Sequence, residues 1–404
     1  MPVLLGGDLN AYSMAMSFAR AAGVVSHVFA REKLAMTDTS SFIKLHSVKD
    51  LDDYNVAVPV LLNFAKEHKG ERLLLIPCAD WYMEMLEYAR DALHGHFYFF
   101  IPDFEIWRTT SDKATFLSIL SSYGIPHPRT EIFDERMQGF QKKGQLLVPP
   151  FVVKASDSSE YFRHPFKKMK KVYFTHSLHE SRQIIEKIYS SGYSGKVLLQ
   201  EYVKERGIAR EPTASVLTTY SNKHGQVIRA VLGDVLLEER GDTSRGNYSA
   251  IVTRPLDDIS MKLIRMLEGI GYTGIANFDI LTSGTKSFCL ELNPRQGRSF
   301  DYVRGSGMNI AELLIAEMEN RNIPESFKYP ECFWRAVSRR TAIRHATHKG
   351  LLNKALMLEK NGRATTPYDF KKDFGMRRRL YVMAHLLRYE KRFRQEGEAF
   401  ECGF

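Results

Sequence analysis

Residues 277–299 read NFDILTSGTKSFCLELNPRQGRS and place acidic side chains within two otherwise apolar runs. The segment SGTK between the runs is typical of a turn, so the stretch predicts a β-hairpin. With the turn centred near Thr285, Asp279 and Glu291 are equidistant from it and face each other across the two strands. The hairpin is therefore expected to bring two carboxylates together.

The second strand of this hairpin adds an amide. Side chains two residues apart share one face of a strand, so Asn293 joins Glu291, whereas Leu290 and Leu292 are expected to face the core. Two adjacent carboxylates repel each other unless a cation lies between them. Oxygen ligands suit Mg²⁺, which bridges carboxylates and substrate phosphates. The pattern favours a magnesium site at Asp279, Glu291 and Asn293 over the alternative, a hairpin with a polar outer face.

Basic residues around the hairpin indicate a phosphate-binding site. Arg295 and Arg298 follow the second strand, where they can meet a phosphoryl oxygen. Lys113 lies at a predicted helix start, an unfavourable place for a cation unless an anion is near. Lys154 ends the apolar strand FVVK, so its ammonium is expected to point into a cleft. Each lysine alone is typical of a surface residue, but together with the hairpin they predict a clamp for a polyphosphate.

Two further segments could complete a nucleotide site. ASDSSEYF, at 155–162, predicts a small polar loop whose hydroxyl and backbone N–H groups could cover phosphates. It lacks glycine, so an ordinary surface loop is the alternative. The strand VLLQEYV offers Gln200 and Glu201, then backbone groups at Tyr202 and Val203, as an edge for an adenine. The alternative there is a strand end that turns into solvent.

The N-terminal residues alternate between strand and helix patterns, as in a parallel sheet. PVLLGG, VVSHVFA and RLLLIPCAD predict strands, while LNAYSMAMSFARAAG, which ends at Gly23, and WYMEMLEYARDAL predict helices. A ligand crevice is expected at the carboxyl ends of the strands, near Gly6, Gly7, Asp8, Asn10, Asp80 and Trp81. GGDLN is not G-x-G-x-x-G, so a tight strand-to-helix turn is as good an interpretation as a dinucleotide site.

A domain boundary is expected near 108–112. After it, TTSDKATFLSILSSYG predicts a helix that is capped by Thr110 or Ser111 and ended by Gly124. TASVLTTYSN, HGQVIRAVLGDVLLEE and AIVTRP predict antiparallel strands. This succession favours a mixed α+β region with a large antiparallel sheet over a second doubly wound domain.

Length and composition fit a globular protein of more than one domain. The chain has 404 residues, of which 44% are hydrophobic and 26% charged. Its N-terminus lacks the basic flank and apolar run of a signal peptide, and no window approaches a membrane span. The scattered cysteines form no C-x-x-C pair, which favours a reducing cytosol and excludes a structural zinc site of that type.

The positive charge is concentrated at the C-terminal end. Residues 335–404 hold 17 Lys and Arg against 7 Asp and Glu, which accounts for the whole net charge of +10. Such a block typically meets a polyanion, namely phosphate, nucleic acid or an anionic membrane face. A merely solvated helical surface is the alternative.

In this order, the motifs resemble those of the ATP-grasp superfamily. They are DK near a helix start, GIPHPRT, PFVVK, QEYV, and NFD followed by ELNPR, over roughly residues 110–320. The resemblance implies an α/β plus α+β architecture. Its parts would be a Rossmann-like pre-ATP-grasp domain at 1–110, two ATP-grasp lobes at 111–195 and 196–325, and a basic, mainly helical extension at 326–404.

The same resemblance implies roles for individual residues. Members of the superfamily are mostly carboxylate–amine ligases that use ATP and Mg²⁺, and two ions are expected here. The implied contacts are Lys113 and Lys154 with ATP phosphates, Gln200, Glu201 and Val203 with adenine, Glu211 with ribose, and Asp279, Glu291 and Asn293 with Mg²⁺. Arg295 and Lys154 would be catalytic, with Arg295 stabilising an acyl phosphate. KERGIAREPTAS departs from the family, because it is longer and more basic than a compact glycine–acid turn.

A narrower resemblance, over 1–320, is to the bacterial D-aspartate ligases. It rests on LLGGDLNAYSMAMSFARAAG, LLLIPCADWYMEMLE, KASDSSEYF and RGNYSAIV. It implies a cytoplasmic enzyme that attaches D-aspartate to the lysine side chain of a peptidoglycan precursor. The basic tail and the N-terminal crevice would receive this anionic acceptor. Peripheral contact of 335–404 with the anionic inner face of the membrane is expected, and nucleic acid is disfavoured as a partner.

The implied reaction has two steps, formation of an acyl phosphate from ATP and its displacement by an amine. No side-chain nucleophile is required, in agreement with the lack of a Ser–His–Asp or Cys–His pattern. Loops around 156–165 and 241–250 would exclude water from the acyl phosphate. The alternatives are a ligase of another amino acid or small peptide, and a non-catalytic protein that binds nucleotide or polyanion. The complete set of predicted magnesium ligands disfavours the second alternative.

Overall fold

The chain begins with a parallel sheet flanked by helices. The computed structural model describes residues 1–203, 212–239, 246–373 and 375–401, with side chains described as far as residue 395. The strands of this first domain are β1 (Pro2–Leu5), β2 (Ser26–Ala30), β3 (Ile43–Ser47) and β4 (Leu74–Pro77). Its helices are α1 (Leu9–Ala22), α2 (Ala35–Asp38), α3 (Tyr54–Glu67), α4 (Asp80–Tyr88), α5 (Arg90–Leu93) and α6 (Phe104–Ser111). The parallel strand order β3-β2-β1-β4 is the predicted Rossmann-like arrangement.

Local capping determines where α1 begins and ends. The Asp8 side chain accepts a hydrogen bond from the backbone N–H of Asn10 at 3.0 Å, which satisfies a donor left unpaired in the first turn. Gly23 ends the helix at φ +66°, a left-handed conformation that glycine adopts without steric cost. The predicted turn after β1 is therefore an N-cap, and the predicted helix end at Gly23 is confirmed.

The second unit is a four-stranded antiparallel sheet with helices. Its strands are β5 (Thr130–Phe133), β6 (Phe151–Ala155), β7 (Tyr173–Thr175) and β8 (Val197–Glu201), and their order is β5-β8-β6-β7. Its helices are α7 (Lys113–Ser122), α8 (Phe140–Gly144), α9 (Ser158–Arg163) and α10 (Leu178–Ser190). We call this unit lobe A. Tyr173 of β7 and Ile185 of α10 pack with β6 and β8 in its core.

Two predictions for lobe A were wrong in detail. Thr110 and Ser111 belong to α6 and do not cap α7, because Asp112 accepts from the N–H of Thr115 at 2.8 Å and takes that position. ASDSSEYF is not wholly a loop, since Asp157 caps a short helix, α9, within it. In both places an aspartate lies one residue before the helix and supplies the cap.

The third unit, lobe B, contains a seven-stranded sheet. Its strands are β9 (Thr213–Ser221), β10 (Val227–Glu238), β11 (Tyr248–Arg254), β12 (Gly274–Ser283), β13 (Lys286–Asn293), β14 (Phe333–Arg335) and β15 (Ala364–Thr365). The strand order is β13-β12-β9-β10-β11-β14-β15, and all pairs are antiparallel except β14 with β15. Helices α11 (Asp258–Gly269), α12 (Tyr302–Gly305) and α13 (Ile310–Met318) accompany it. The large antiparallel sheet predicted from the sequence is present.

The C-terminal residues complete this sheet and add helices to it. The helices are α14 (Arg339–His345), α15 (Lys349–Lys360) and α16 (Met376–Glu401), with a 3₁₀ turn at Lys371–Asp373. Because β14 and β15 lie in the sheet of lobe B, the predicted boundary at 325 divides strands of one sheet. In the part of the chain that the structure describes, no helix is both long and apolar enough to cross a membrane.

The first domain and lobe B share a hydrophobic core. Tyr12 and Phe18 of α1 are buried in the same cluster as Val216 of β9, Ile251 of β11 and Leu314 of α13. Helix α1 packs directly on α13. This packing holds the carboxyl end of the parallel sheet beside the β12–β13 hairpin.

Candidate active site

A β-bulge sets the register of the β12–β13 hairpin. Ile280 pairs with Cys289, whereas the preceding residue, Asp279, pairs with Glu291, so Leu290 is an extra residue in the ladder. Without the bulge, Asp279 would lie opposite Leu290. The two acids face each other as predicted, but for a different reason. The turn is centred between Gly284 and Thr285 and not at Thr285, and the bulge shifts the register by one residue so that Asp279 pairs with Glu291.

The same bulge changes which residues face the core. Cys289 and Leu292 are buried in a hydrophobic cluster with Phe278, as the alternation on each side of the bulge requires. Leu290 is only half-buried and lies outside this cluster. The prediction that Leu290 faces the core was therefore wrong, and the prediction for Leu292 was right.

Asp279 occupies the more protected position of the acid pair. It is 9% exposed, and its Oδ1 accepts a hydrogen bond from the Tyr248 hydroxyl at 2.9 Å. The Asn293 amide donates weakly to its Oδ2 at 3.5 Å. Burial, and then the adjacent Glu291 carboxylate, raise the pKa of Asp279 to about 7. The pair therefore carries unrelieved repulsion that a proton or a cation would remove.

Glu291 is paired with lysines. The ammonium of Lys113 lies 3.4 Å from Glu291 Oε2 and donates a hydrogen bond to Ser158 Oγ at 2.9 Å. Burial alone would raise the pKa of Glu291, but Lys113, Lys171 and Lys154 outweigh burial and hold that pKa well below its usual range. Glu291 is thus the more acidic carboxyl group of the pair and Asp279 the less acidic one.

The donor set of the hairpin fits a magnesium ion. Among the described residues no group of three His, Cys, Asp or Glu side chains converges, so a closed zinc-type site is not present there. Two carboxylates with one amide oxygen instead leave room for phosphate and water ligands, which Mg²⁺ commonly keeps. Asp279, Glu291 and Asn293 are the residues that would hold it.

Lys154 is a buried cation at the end of β6. It is 8% exposed, and burial lowers its pKa to about 8 against the opposing attraction of Glu291. Lys113 and Lys171 lower that pKa further, because both carry the same charge. A buried ammonium with like charges around it is prepared to receive an anion.

Lys171 is a site residue that the sequence analysis missed. It precedes β7 in lobe A, and its charge acts on Asp279, Glu291 and Lys154. Its Nζ would lie 3.3 Å from a Cβ added at Gly246 of lobe B, so its side chain reaches across the cleft between the lobes. It ends the run KKMKK, whose charge is typical of an exposed loop, and no local signal separates it from its neighbours.

Replacing Lys171 with glutamine is expected to lower kcat/KM for ATP by about a hundredfold, the usual effect of removing one preorganised donor. Lys167, an exposed lysine of the same loop, provides the matched control. Its replacement with glutamine removes the same charge from the chain and should leave ATP turnover within about twofold of the parent. Steady-state ADP release measures both, and equal effects of the two changes would exclude a specific role for Lys171.

Arg295 is held by the first domain. Its Nε and Nη2 donate to the two carboxylate oxygens of Asp80 at 2.6 and 2.8 Å, a bidentate ion pair that fixes the guanidinium plane. Asp80 begins α4 at the carboxyl end of β4, in the predicted crevice. Arg298 donates to Glu239 at 2.7 Å and to the Tyr389 hydroxyl at 2.6 Å. The predicted crevice and the hairpin therefore meet at Arg295.

The residues predicted to frame adenine have other side-chain partners. Gln200 is buried and donates to Thr130 Oγ1 at 2.8 Å, while Glu201 Oε1 accepts from the N–H of Val148 at 2.9 Å. Val203 is half-buried at the end of a described range. The backbone N–H groups of Glu201 and Tyr202 also have partners, the carbonyl oxygens of Arg129 and Pro150, each at 2.9 Å. The predicted ribose residue, Glu211, and loop residues 241–245 lie outside the described residues.

A cavity of about 180 Å³ adjoins Glu291 on the side of the first domain. Tyr88, Trp107 and Arg108 form its wall on that domain, and Ser158 and Glu291 line the opposite wall. The cavity thus lies between a parallel-sheet domain and the predicted phosphate-binding residues. A small polar substrate that entered it would lie next to Glu291 and Asn293 of the hairpin.

Comparison with known proteins gives similarity over the whole chain, although no protein-family model matches. D-aspartate ligase from Enterococcus faecium (strain Aus0004) is 28% identical over 98% of this chain and 96% of its own length. The biotin carboxylase domain of 2-oxoglutarate carboxylase from Hydrogenobacter thermophilus, solved with MgADP, superposes with a TM-score of 0.63 at 14% identity. That superposition covers 82% of this chain and 73% of the domain. The chain has the ATP-grasp fold.

Other solved ATP-grasp structures agree. Biotin carboxylase from Campylobacter jejuni, solved as a β-γ-ATP complex, has a TM-score of 0.61 at 12% identity over 82% of this chain and 74% of its own. N5-carboxyaminoimidazole ribonucleotide synthetase from Thermus thermophilus has a TM-score of 0.58 at 14% identity, covering 82% of each chain. The predicted resemblance to ATP-grasp proteins and the predicted mixed α/β fold class are confirmed. The domain boundaries and the roles of single residues stay predictions.

Proposed function

We propose that this ATP-grasp chain is a carboxylate–amine ligase that adds D-aspartate to the lysine side chain of a peptidoglycan precursor. The observation that carries the proposal is the convergence of Asp279 and Glu291 with three lysines beside the cavity between domains. The whole-length similarity to a D-aspartate ligase supports the choice of amino acid. We place the reaction in the cytoplasm, where ATP is available.

The reaction proceeds by two displacements. A carboxylate oxygen of the amino acid attacks the γ-phosphorus of ATP, the bond to the β,γ-bridging oxygen breaks, and ADP leaves. The acceptor amine then attacks the acyl carbon, the bond to the phosphate oxygen breaks, and the amine nitrogen loses a proton. No side chain becomes covalently attached, so the protein acts by positioning and charge neutralisation.

Each charged residue has a task in this scheme. Lys113, Lys154 and Lys171 neutralise phosphate oxygens of ATP as charge shifts during transfer. Mg²⁺, with two ions expected, would supply further neutralisation of the polyphosphate when held at the hairpin. Arg295 is kept in a fixed plane by Asp80 and would stabilise the acyl phosphate. The cavity beside Glu291 receives the amino acid, and the basic tail with the N-terminal crevice receives the anionic acceptor.

ADP release with Mg-ATP tests this proposal against a panel of D- and L-amino acids, with and without a nucleotide-linked peptidoglycan precursor. We expect release that depends on D-aspartate, and mass spectrometry should show the acceptor gaining one aspartyl residue. Release driven only by another amino acid or peptide would overturn the substrate assignment and keep the ligase. Absence of release with every acid would overturn the ligase and favour a protein that only binds nucleotide.

A further inference from the structure

Helix α16 has an apolar stripe on its outer side. Met376, Leu380, Met383 and Leu387 have exposed fractions of 80%, 58%, 57% and 59%. Their spacing of four, three and four residues places them in one row along the helix. Side chains of this size would normally be buried, and four in one row form a continuous apolar ridge.

Basic residues flank the ridge on both sides. Arg379 lies one position before Leu380 and Arg388 one position after Leu387, so they project on opposite flanks of the row. Lys391, four residues beyond Leu387, continues the row with a cation. Between residues 376 and 395, the exposed residues of the helix include no acid. Long basic side chains in this arrangement can lay their apolar stems on the ridge and keep their charges outside it.

The opposite side of α16 anchors the helix to the protein. Arg378 is buried, pairs with Asp373 at 3.1 Å and lies 4.0 Å from the centre of the Tyr12 ring in the first domain. Further along, the Tyr389 hydroxyl donates to Glu239 at 2.9 Å. The helix therefore cannot rotate its ridge inward without breaking the buried polar contacts of Arg378 and Tyr389. The ridge is a fixed external feature.

We propose that α16 docks on an anionic lipid bilayer, lying flat with its apolar ridge among the acyl chains. A convex row of long apolar side chains with cations on both flanks is the pattern of an interfacial helix. Nucleic acid would bind the cations through its phosphates but would make no contact that requires the apolar ridge. A neutral protein groove would bury the apolar ridge but would offer no anionic partner for the cations. An anionic bilayer is complementary to both the apolar ridge and the cations beside it, and we therefore assign it as the binding partner of α16. This inference does not depend on the proposed ligase activity.

Docking would place the candidate site beside the membrane. The inner face of α16 contacts Glu239 through Tyr389 and Arg392, and Glu239 in turn pairs with Arg298. Arg298 lies three residues after Arg295, the arginine that Asp80 orients. Helix α16 therefore carries the ridge on its outer side and contacts Glu239 on its inner side. An acceptor held at the bilayer surface would approach the protein near Arg298, which also pairs with Asp8 of the N-terminal crevice at 3.8 Å.

Vesicle co-sedimentation of the full chain tests the docking. Binding is expected to phosphatidylcholine vesicles that contain phosphatidylglycerol and not to phosphatidylcholine alone, and it should weaken as salt is raised. The ridge variant L380Q/L387Q is expected to lower the partition coefficient about tenfold or more. The charge variant R388Q/K391Q is expected to lower it about thirtyfold, at about 1 kcal/mol per basic residue near an anionic surface.

Matched variants away from the helix control for general effects. V24Q/V25Q replaces exposed apolar residues before β2, and K66Q/K69Q removes two exposed charges at the end of α3. Both should bind vesicles like the parent chain, and circular dichroism should show all four variants folded. Vesicle binding that is insensitive to the ridge variant would overturn the proposal. So would a parent chain that is dimeric in solution and becomes monomeric in L380Q/L387Q, or one that binds RNA and ignores vesicles.

Discussion

Replacing Glu291 with glutamine is expected to lower kcat for substrate-dependent ADP release by about a thousandfold or more. Glutamine keeps the size of the side chain but removes the charge that, with Asp279 opposite, would hold a divalent cation. It also removes the anion that lies 3.4 Å from the Lys113 ammonium. Steady-state kinetics across a magnesium titration measure the effect, and the variant should require a higher magnesium concentration.

Exposed Glu325 supplies the control for this change. Its replacement with glutamine makes the same chemical change away from the hairpin and should leave kcat within about twofold of the parent. Thermal unfolding distinguishes loss of chemistry from loss of structure, since the Glu291 variant should melt within a few degrees of the parent. Full activity in the Glu291 variant would contradict a magnesium role for the hairpin.

Replacing Lys154 with methionine is expected to lower kcat/KM for ATP by about a thousandfold, because methionine keeps the length of this buried side chain but removes its positive charge. The same ammonium should also make the activity of the parent chain depend on pH. The pKa of Lys154 is about 8 in the folded chain, below the usual lysine value, so the cation is present below pH 8 and is lost as the pH rises through it. The value of kcat/KM for ATP should therefore decline above pH 8.

Lys196 provides the comparison, as an exposed lysine whose carbonyl oxygen accepts from the N–H of Ser156 beside the site. Its replacement with methionine removes one charge and keeps the backbone contact, so ATP turnover and the pH profile should be those of the parent. If the decline above pH 8 persists in the Lys154 variant at its lower rate, another group is responsible for it. An unchanged rate would remove Lys154 from the site.

Much of the fold follows from local pattern. Strands β1, β2 and β4 and helices α1 and α4 of the first domain were predicted because apolar spacing and caps act over a few residues, as Asp8 and Gly23 do at the two ends of α1. Strand β3 and helix α3 were not predicted. Helix starts were off by one or two residues where an aspartate competed with serine or threonine for the cap, as Asp112 did. Such choices depend on backbone geometry that spacing alone does not specify.

The candidate site was likewise predicted where it depends on local sequence and was missed where it depends on distant contacts. Equidistance from a turn predicted that Asp279 meets Glu291, and the pair does meet, but only because Leu290 is bulged. A single-residue bulge within an apolar strand has no recognisable signal in the sequence, so Leu290 was wrongly predicted to face the core. Lys171 was missed because its partners are more than a hundred residues away in sequence and lie across a cleft.

By itself, the sequence determined the charge asymmetry, the order of the elements that it predicted, and Asp279, Glu291, Asn293, Lys113 and Lys154 as candidate site residues, because these depend on residue type and short spacing. Tertiary structure alone decided that Asp80 holds Arg295, that Lys171 joins the acid pair, and that α16 turns Tyr389 inward and its leucines outward. The physical reason is the distance along the chain over which each kind of contact acts. A sequence pattern predicts contacts between residues within one turn or one hairpin. Charged residues from separate domains come together only when the hydrophobic core that α1 shares with lobe B has formed.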